Sequence, residues 1–144
     1  MELSIMKNFL FLLSFGFLAF SCDTKKENTE ATSSSEVVTA TVTNLEPKVF
    51  QEKSANGILL DVRTPEEVAA GKIPGSIALD FYQEDFATKV KELPKDKEIY
   101  VYCAVGARSG QAADLLIQQG FTKVYHLSGG IRAWTSEGLP ITQE

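Results

Sequence analysis

Residues 98–110, EIYVYCAVGARSG, decide the fold of this chain. The first part, through Tyr102, is rich in β-branched and aromatic residues and predicts a central β-strand. Small residues then lead from Cys103 towards a helix that carries Ala112 to Gln119 and that Gly120 ends. A buried strand that turns directly into a helix is typical of an α/β sheet, with Cys103 directly after the carboxyl end of the strand.

The same alternation continues on both sides of this stretch. Thr64, Pro65 and Glu67 predict the start of a short helix with a capping box, and Gly71 ends it. Further helices are predicted over 46–55, 83–93 and 130–137, and further strands over 58–62, 77–79 and 124–127. Strands that alternate with helices predict an α/β fold, a parallel sheet flanked by helices on both faces.

The loop after Cys103 has the composition of an anion cradle. The binding crevice of a parallel sheet lies beyond the carboxyl ends of its strands, where we place this loop. Gly106 can adopt backbone angles that turn successive N–H groups inwards, and the following helix adds a positive end. A thiol there has a lowered pKa. The residues alone leave a second interpretation open, in which Cys103 is an inert cysteine of the core.

The first residues differ in kind from the rest. An apolar run from Phe9 to Phe20 is too short for a permanent membrane span and suits an export signal over 1–21. Ala19-Phe20-Ser21-Cys22 resembles the lipobox of bacterial lipoproteins, which implies lipid on Cys22 and a protein anchored in the bacterial cell envelope. An uncleaved anchor helix or a soluble secreted protein is the alternative.

Behind this segment, residues 22–37 are almost entirely polar and predict a flexible tether, and residues 38–144 form the predicted domain. The chain of 144 residues has two cysteines, so a lipid on Cys22 leaves Cys103 without a disulfide partner. The net charge of -5, with no basic run, argues against a nucleic-acid partner.

Several separate segments make the chain resemble a rhodanese homology domain. Residues 60–67 (LDVRTPEE) and 71–77 (GKIPGSI) are similar to the family's first signature. Residues 100–109 (YVYCAVGARS) are similar to its active-site segment, and residues 127–131 (LSGGI) with Trp134 to its closing signature. The resemblance extends from about Val42 to Pro140.

The resemblance implies a sulfurtransferase in which Cys103 accepts sulfur from a small anionic donor, thiosulfate or a polysulfide, and passes it to a thiol acceptor. It implies a sulfur-binding loop, no cofactor and no metal, and it names no protein partner. The loop residues it assigns to substrate binding are Ala104, Val105, Gly106, Ala107 and Arg108. The side chains of Ala104, Val105 and Ala107 bring no cation, whereas members that use thiosulfate efficiently often have polar groups there, so the donor stays open.

Two other functions remain alternatives. One is a persulfide carrier or sensor with little turnover, which a saturable rate with small acceptors would distinguish from an enzyme. The other is a cysteine-based phosphatase or arsenate reductase. The phosphatase signature needs one more residue between cysteine and arginine than the four between Cys103 and Arg108, and Tyr102 stands where phosphatases usually have His.

Some polar and aromatic residues near the predicted crevice have structural interpretations. Asp61 and Arg63 lie at the end of a strand and predict an internal ion pair or turn contact more than a catalytic role, with support of the site as the alternative. His126, the only histidine, lies within a predicted strand, so we expect no Cys–His pair. Trp134 is expected to pack in the core, and Phe81 and Tyr82 to line the pocket mouth.

Overall fold

The structure, a computed structural model, describes residues 40–143, in which ten strands and helices alternate. The strands are β1 Thr43–Leu45, β2 Ile58–Asp61, β3 Ile77–Ala78, β4 Ile99–Tyr102 and β5 Val124–Leu127. The helices are α1 Pro47–Ser54, α2 Pro65–Ala69, α3 Phe86–Lys91, α4 Ala107–Gln118 and α5 Gly130–Ser136. None of the helices in this part of the chain is both long enough and apolar enough to cross a bilayer. The export signal, the Cys22 lipid site and the tether lie outside the described residues.

The five strands form one sheet in the order β1-β5-β4-β2-β3, and every neighbouring pair is parallel. Strand β4 lies at the centre, with Leu60 of β2 opposite Val101 on one side and His126 of β5 opposite it on the other. All strands therefore end at the same edge of the sheet, and Cys103 follows the central one. This confirms the predicted parallel α/β fold.

Strand β4 is buried along its whole length because helices cover both faces of the sheet. Its alternate side chains enter two separate cores. Ile99 and Val101 pack with residues of α3 and α4, including Val90, Ala112 and Leu116. Tyr100 and Tyr102 pack with α1 and α5 through Phe50 and Trp134. The near-continuous apolar sequence of the strand follows from this double burial.

One strand and the starts of two helices differ from the sequence-based prediction by more than two residues. The edge strand β1 was not predicted, because Thr43 and Asn44 are exposed and give no apolar pattern. Helix α3 begins at Phe86 rather than at Gln83, since Asp80 forms a turn that accepts the Tyr82 N–H on Oδ1 and the Gln83 N–H on its backbone oxygen. Helix α4 begins at Ala107, directly after Gly106, so it extends back to the cysteine loop.

The aromatic core under α1 gives the first prediction. Phe50 is fully buried and meets Tyr100 and Trp134 edge-to-face, with ring centroids 5.5 and 6.4 Å apart. Phe50→Ala should lower the free energy of unfolding by about 3–5 kcal/mol, because it leaves a cavity that these rings cannot fill. Its neighbour Val49 is 40% exposed, and Val49→Ala should change stability by less than about 0.5 kcal/mol. Urea unfolding of both variants measures the difference, and equal losses would contradict this view of the core.

Candidate active site

Cys103 lies in the loop between β4 and α4, and its side chain is only 1% exposed. Its Sγ accepts the Gly106 N–H at 3.1 Å and lies 3.4 Å from the Ser109 hydroxyl oxygen. The backbone N–H groups of Val105 and Ser109 also act on the sulfur. The sulfur therefore lies inside a partial ring of donors at the start of a helix of twelve residues, an arrangement that favours negative charge.

These donors set the acidity of the thiol. Burial raises the pKa of Cys103, while hydrogen bonds from the Ser109 hydroxyl and from the backbone of Ser109, Val105 and Gly106 lower it. The hydrogen bonds outweigh the burial, and the pKa lies below the ordinary value of 9.0. A larger share of Cys103 is therefore thiolate near neutral pH than in an unfolded chain, and the thiolate is the nucleophilic form.

Gly106 gives the loop its curvature. Its φ of 102° lies in the left-handed region, which side chains with a Cβ rarely adopt. At this angle its N–H points at the sulfur, while its carbonyl accepts the Gly110 N–H at 2.9 Å inside the helix. One residue therefore closes the ring and begins α4.

The first turn of α5 holds the loop from the other side. The N–H groups of Ile131 and Arg132 donate to the carbonyl oxygens of Cys103 and Ala104, at 2.9 and 3.1 Å. Because the carbonyls are bound there, the loop's N–H groups are free to face the sulfur. Gly130 makes this contact possible, since a Cβ at that position would lie 2.5 Å from the Cys103 carbonyl oxygen. From sequence, Gly130 was only part of a signature, and nothing local indicated what it touches.

Arg108 is held by Glu67. Its two terminal nitrogens donate to the two carboxylate oxygens at 2.6 and 2.7 Å, and its guanidinium lies 5.5 Å from the Tyr82 ring centroid. Glu67 also accepts the Thr64 N–H in the predicted capping box, which the structure contains. The ion pair lowers the pKa of Glu67 to about 2 and raises the pKa of Arg108. The guanidinium predicted to bind substrate therefore already has a carboxylate partner.

The remaining loop side chains are small or apolar. Val105 is 47% exposed, Ala107 is exposed and Ala104 is half-buried. Tyr82 is exposed and reaches the site through its contact with Arg108. Phe81 is half-buried and packs against the core, with its ring 5.2 Å from that of Phe86, and its place at the pocket mouth stays a prediction.

Asp61 and Arg63 form the predicted ion pair at the end of β2. Arg63 Nη2 and Nε donate to the Asp61 carboxylate at 2.6 and 2.9 Å, and both side chains are buried. The same guanidinium donates to the carbonyl oxygens of Glu67 and Gly71. The pair thereby holds the C-terminal half of α2 and the residue after its cap, and α2 is the helix that carries Glu67 to Arg108.

His126 lies beside the loop through the register of the sheet. Its Nε2 lies 2.9 Å from Ser109 Oγ and 3.1 Å from the Gly106 carbonyl oxygen. No direct hydrogen bond joins the ring to Cys103 among the described contacts, but the Ser109 hydroxyl connects the two. This indirect link was not predicted from the sequence, because it depends on the pairing of β4 with β5, which brings together residues far apart along the chain.

Other predicted features are structural. The Trp134 indole donates to the Pro140 carbonyl oxygen at 2.8 Å, and its ring is buried in the core. Within residues 40–143, His, Cys, Asp and Glu side chains form no group of three that could hold a metal ion.

Fold and site together define a class of protein that presents one acidic thiol, within backbone amides, at the carboxyl edge of a parallel sheet. Comparison with known proteins gives the family. The Rhodanese-like domain family matches residues 46–137, and the chain belongs to that family.

Named relatives and a solved structure agree with this assignment. The chain is 45% identical over 84 residues to a sulfurtransferase of Allochromatium vinosum, a match that covers 58% of this chain and 77% of that protein. It is 37% identical over 102 residues to a tRNA uridine(34) hydroxylase of Acinetobacter baumannii, covering 67% of this chain but only 32% of the hydroxylase. The crystal structure of a rhodanese-related protein from Thermoplasma volcanium superposes with a TM-score of 0.65 at 34% identity, covering 71% of this chain and 99% of that one.

The close approach of α5 to the loop yields a second prediction. Gly130→Ala should destabilise the domain by about 2–4 kcal/mol and raise the pKa of Cys103, because the methyl group displaces the loop and φ is +62° there. Gly110 offers the control, since a Cβ there meets nothing within 4 Å, and Gly110→Ala should stabilise helix α4 by up to about 1 kcal/mol. Unfolding curves and the pH dependence of Cys103 alkylation measure both. A Gly130→Ala protein with normal stability would contradict the view that the close contact of α5 supports the cysteine loop.

The Glu67–Arg108 pair yields a third prediction. Since the pKa of Glu67 falls from 4.5 to about 2 on folding, its contribution to stability is present above pH 4.5 and is lost as pH falls towards 2. The Glu67 side chain is 34% exposed, so Glu67→Gln should cost only about 0.5–1 kcal/mol at neutral pH. Stability of the variant should decline less between these pH values than stability of the native chain. Denaturant titrations at several pH values test this, with the exposed Glu66→Gln as control.

Proposed function

We propose that the protein is a sulfurtransferase that carries sulfane sulfur on Cys103 as a persulfide. The observation that carries the proposal is the ring of N–H groups and the Ser109 hydroxyl around Cys103 Sγ. Family membership and a relative named as a sulfurtransferase support the same activity.

The reaction has two displacements at sulfur. The Cys103 thiolate attacks the outer sulfur of the donor, a new S–S bond forms, and the donor's own bond to that sulfur breaks, so thiosulfate leaves as sulfite and a polysulfide leaves one sulfur shorter. An acceptor thiolate then attacks the outer sulfur of the persulfide, and Cys103 leaves as thiolate. No net oxidation occurs, because the sulfane sulfur passes unchanged between nucleophiles.

The donors around Cys103 stabilise both charged states of this cycle. The thiolate carries its negative charge on Sγ, which the N–H groups face, and we propose that the same groups stabilise the charge of the persulfide one sulfur atom further out. Because the donors are mostly backbone groups fixed by α5, they need no rearrangement during the reaction.

The loop also supports a proposal about the donor. Ala104, Val105 and Ala107 provide no charge, and the Arg108 guanidinium is bound by Glu67. A dianion such as thiosulfate gains little from these side chains. We therefore propose that a donor of lower charge, such as a singly charged hydropolysulfide, is used more efficiently than thiosulfate.

Helix α4 supports sulfur chemistry over phosphatase chemistry. It begins at Ala107, so Arg108 lies in its first turn and points to Glu67 rather than into the cradle. A phosphatase of this kind needs a free arginine to bind the phosphoryl oxygens. Before Arg108 could bind phosphoryl oxygens, its bidentate pair with Glu67 would have to break.

A low-turnover persulfide carrier uses the same chemistry and differs only in the second displacement. The buried sulfur, 1% exposed, restricts which acceptors reach it. Saturable turnover with cyanide or a dithiol supports the enzyme, whereas a stable persulfide that these acceptors do not discharge supports the carrier.

The proposal predicts the fate of the nucleophile. After incubation with polysulfide, the native chain should gain the mass of one sulfur atom on Cys103, and Cys103→Ser should gain none and transfer none, because a serine hydroxyl is not deprotonated near neutral pH. Intact mass spectrometry and a sulfur-transfer assay measure both. Cys22→Ser, which removes the other cysteine of the chain, is the matched control and should keep the added sulfur. Transfer by the Cys103→Ser protein would refute the mechanism.

A further inference from the structure

A chain of hydrogen bonds connects Cys103 to the edge strand of the sheet. Ser109 Oγ lies 3.4 Å from Cys103 Sγ, and His126 Nε2 lies 2.9 Å from Ser109 Oγ. On the other side of the ring, His126 Nδ1 lies 2.8 Å from Asn44 Oδ1. The four side chains come from the β4–α4 loop, α4, β5 and β1, and Ser109 is fully buried. Separate elements thus fix a continuous path from the sulfur to an imidazole.

The partners of the ring determine where its protons lie. An amide oxygen only accepts hydrogen bonds, so Asn44 Oδ1 places a proton on Nδ1. In the neutral ring Nε2 then accepts, and the Ser109 hydroxyl donates to it. The Ser109 oxygen is thereby left as an acceptor that faces the Cys103 thiol.

The path is more fully satisfied after a proton has moved, because an unprotonated Nε2 and the Gly106 carbonyl oxygen, 3.1 Å apart, are both acceptors. One proton passes from Cys103 Sγ to Ser109 Oγ while the hydroxyl proton of Ser109 passes to His126 Nε2. The new Nε2–H donates to Ser109 Oγ and to the Gly106 carbonyl oxygen, which lies 3.1 Å away. The Ser109 hydroxyl now donates to the thiolate, and both hydrogen bonds have reversed direction.

We propose that His126 is a positioning residue that takes up the proton of Cys103 through the Ser109 hydroxyl and leaves the thiolate coupled to an imidazolium. The inference deepens the proposed function, because the thiolate that this relay produces is the nucleophile of the first displacement. It would hold equally for any other chemistry of Cys103, since the proton is present whatever the thiol attacks.

The groups that face the ring allow it to serve as a base. Strand β1 contributes the neutral Asn44, and α4 with its preceding loop contributes Gly106, Ser109 and the carboxylate of Asp114. Burial lowers the pKa of His126 below 6.5, while the Gly106 carbonyl and the charge of Asp114 raise it in part. The ring is therefore largely neutral at pH 7 and free to accept a proton. Because the thiol and the imidazole share this path, they titrate as a coupled pair.

The test measures the thiolate without any sulfur donor. The rate at which iodoacetamide alkylates Cys103 in the full chain, followed by peptide mass spectrometry from about pH 5 to 10, should rise in two steps in the native protein. His126→Phe and Ser109→Ala should each give one step at higher pH and a roughly tenfold lower rate at pH 7, equivalent to about one pKa unit. The double variant should be no slower than either single one, because both changes break the same path.

Two exposed positions on β1 provide a matched comparison that leaves the core unchanged. Asn44→Asp places a carboxylate against Nδ1, favours the imidazolium and should move the first step to higher pH. Thr43→Asp adds the same charge to the neighbouring exposed residue and should move it much less. The comparison of Asn44→Asp with Thr43→Asp tests the relay even if a variant of Ser109 or His126 fails to fold.

A single-step native profile, an unchanged rate in His126→Phe, or equal shifts for the two aspartates would overturn the relay. Failure of the sulfur-loading assay with a two-step alkylation profile would refute the proposed function and leave the relay standing. Successful sulfur loading with a single-step alkylation profile would refute the relay alone.

Discussion

Two hydrogen bonds between backbones, from Ile131 to Cys103 and from Arg132 to Ala104, are the constraint on which the site depends. A peptide loop has as many carbonyl oxygens as N–H groups, and an oxygen that faced the sulfur would repel a thiolate. By binding these two oxygens, the start of α5 orients the loop so that its N–H groups face inwards. Gly130 and Gly106 permit this at the two points where a side chain would obstruct or strain the backbone.

Other contacts hold the loop and α5 in the positions that these two hydrogen bonds need. Strand β4, which leads into the loop, is fixed between two cores. Phe50 and Trp134 hold α1 and α5 against the face of the sheet opposite to α3 and α4. The Asp61–Arg63 pair positions α2, and through it Glu67 and Arg108. Arg63 and Arg108 are each paired with a carboxylate, and the hydrogen bonds that lower the pKa of Cys103 come mostly from the backbone. The effect of these hydrogen bonds varies little with salt, because they lie within the protein rather than in the solvent.

A site of this kind separates two tasks that side chains often combine. The backbone ring stabilises the charged sulfur, and the hydrogen-bonded side chains Ser109, His126 and Asn44 provide the path for its proton. Changes in the loop side chains can then alter the choice of donor without disturbing the ring. Changes at Asn44, which contacts the far side of the His126 ring, would alter the acidity of the thiol without touching the loop.

The sequence by itself determined the alternation of strands and helices, the parallel sheet, the place of Cys103 after the central strand, and the capping box at Thr64. These features depend on local patterns: apolar runs as long as a strand, a proline after a capping residue, and glycines at helix ends. It predicted neither β1 nor the links of Cys103 to His126 and of Arg108 to Glu67. An exposed edge strand has no apolar pattern, and His126 contacts Ser109 only because parallel pairing places β5 beside β4. Tertiary structure decided those contacts, because they join residues that are far apart along the chain and that no local sequence pattern connects.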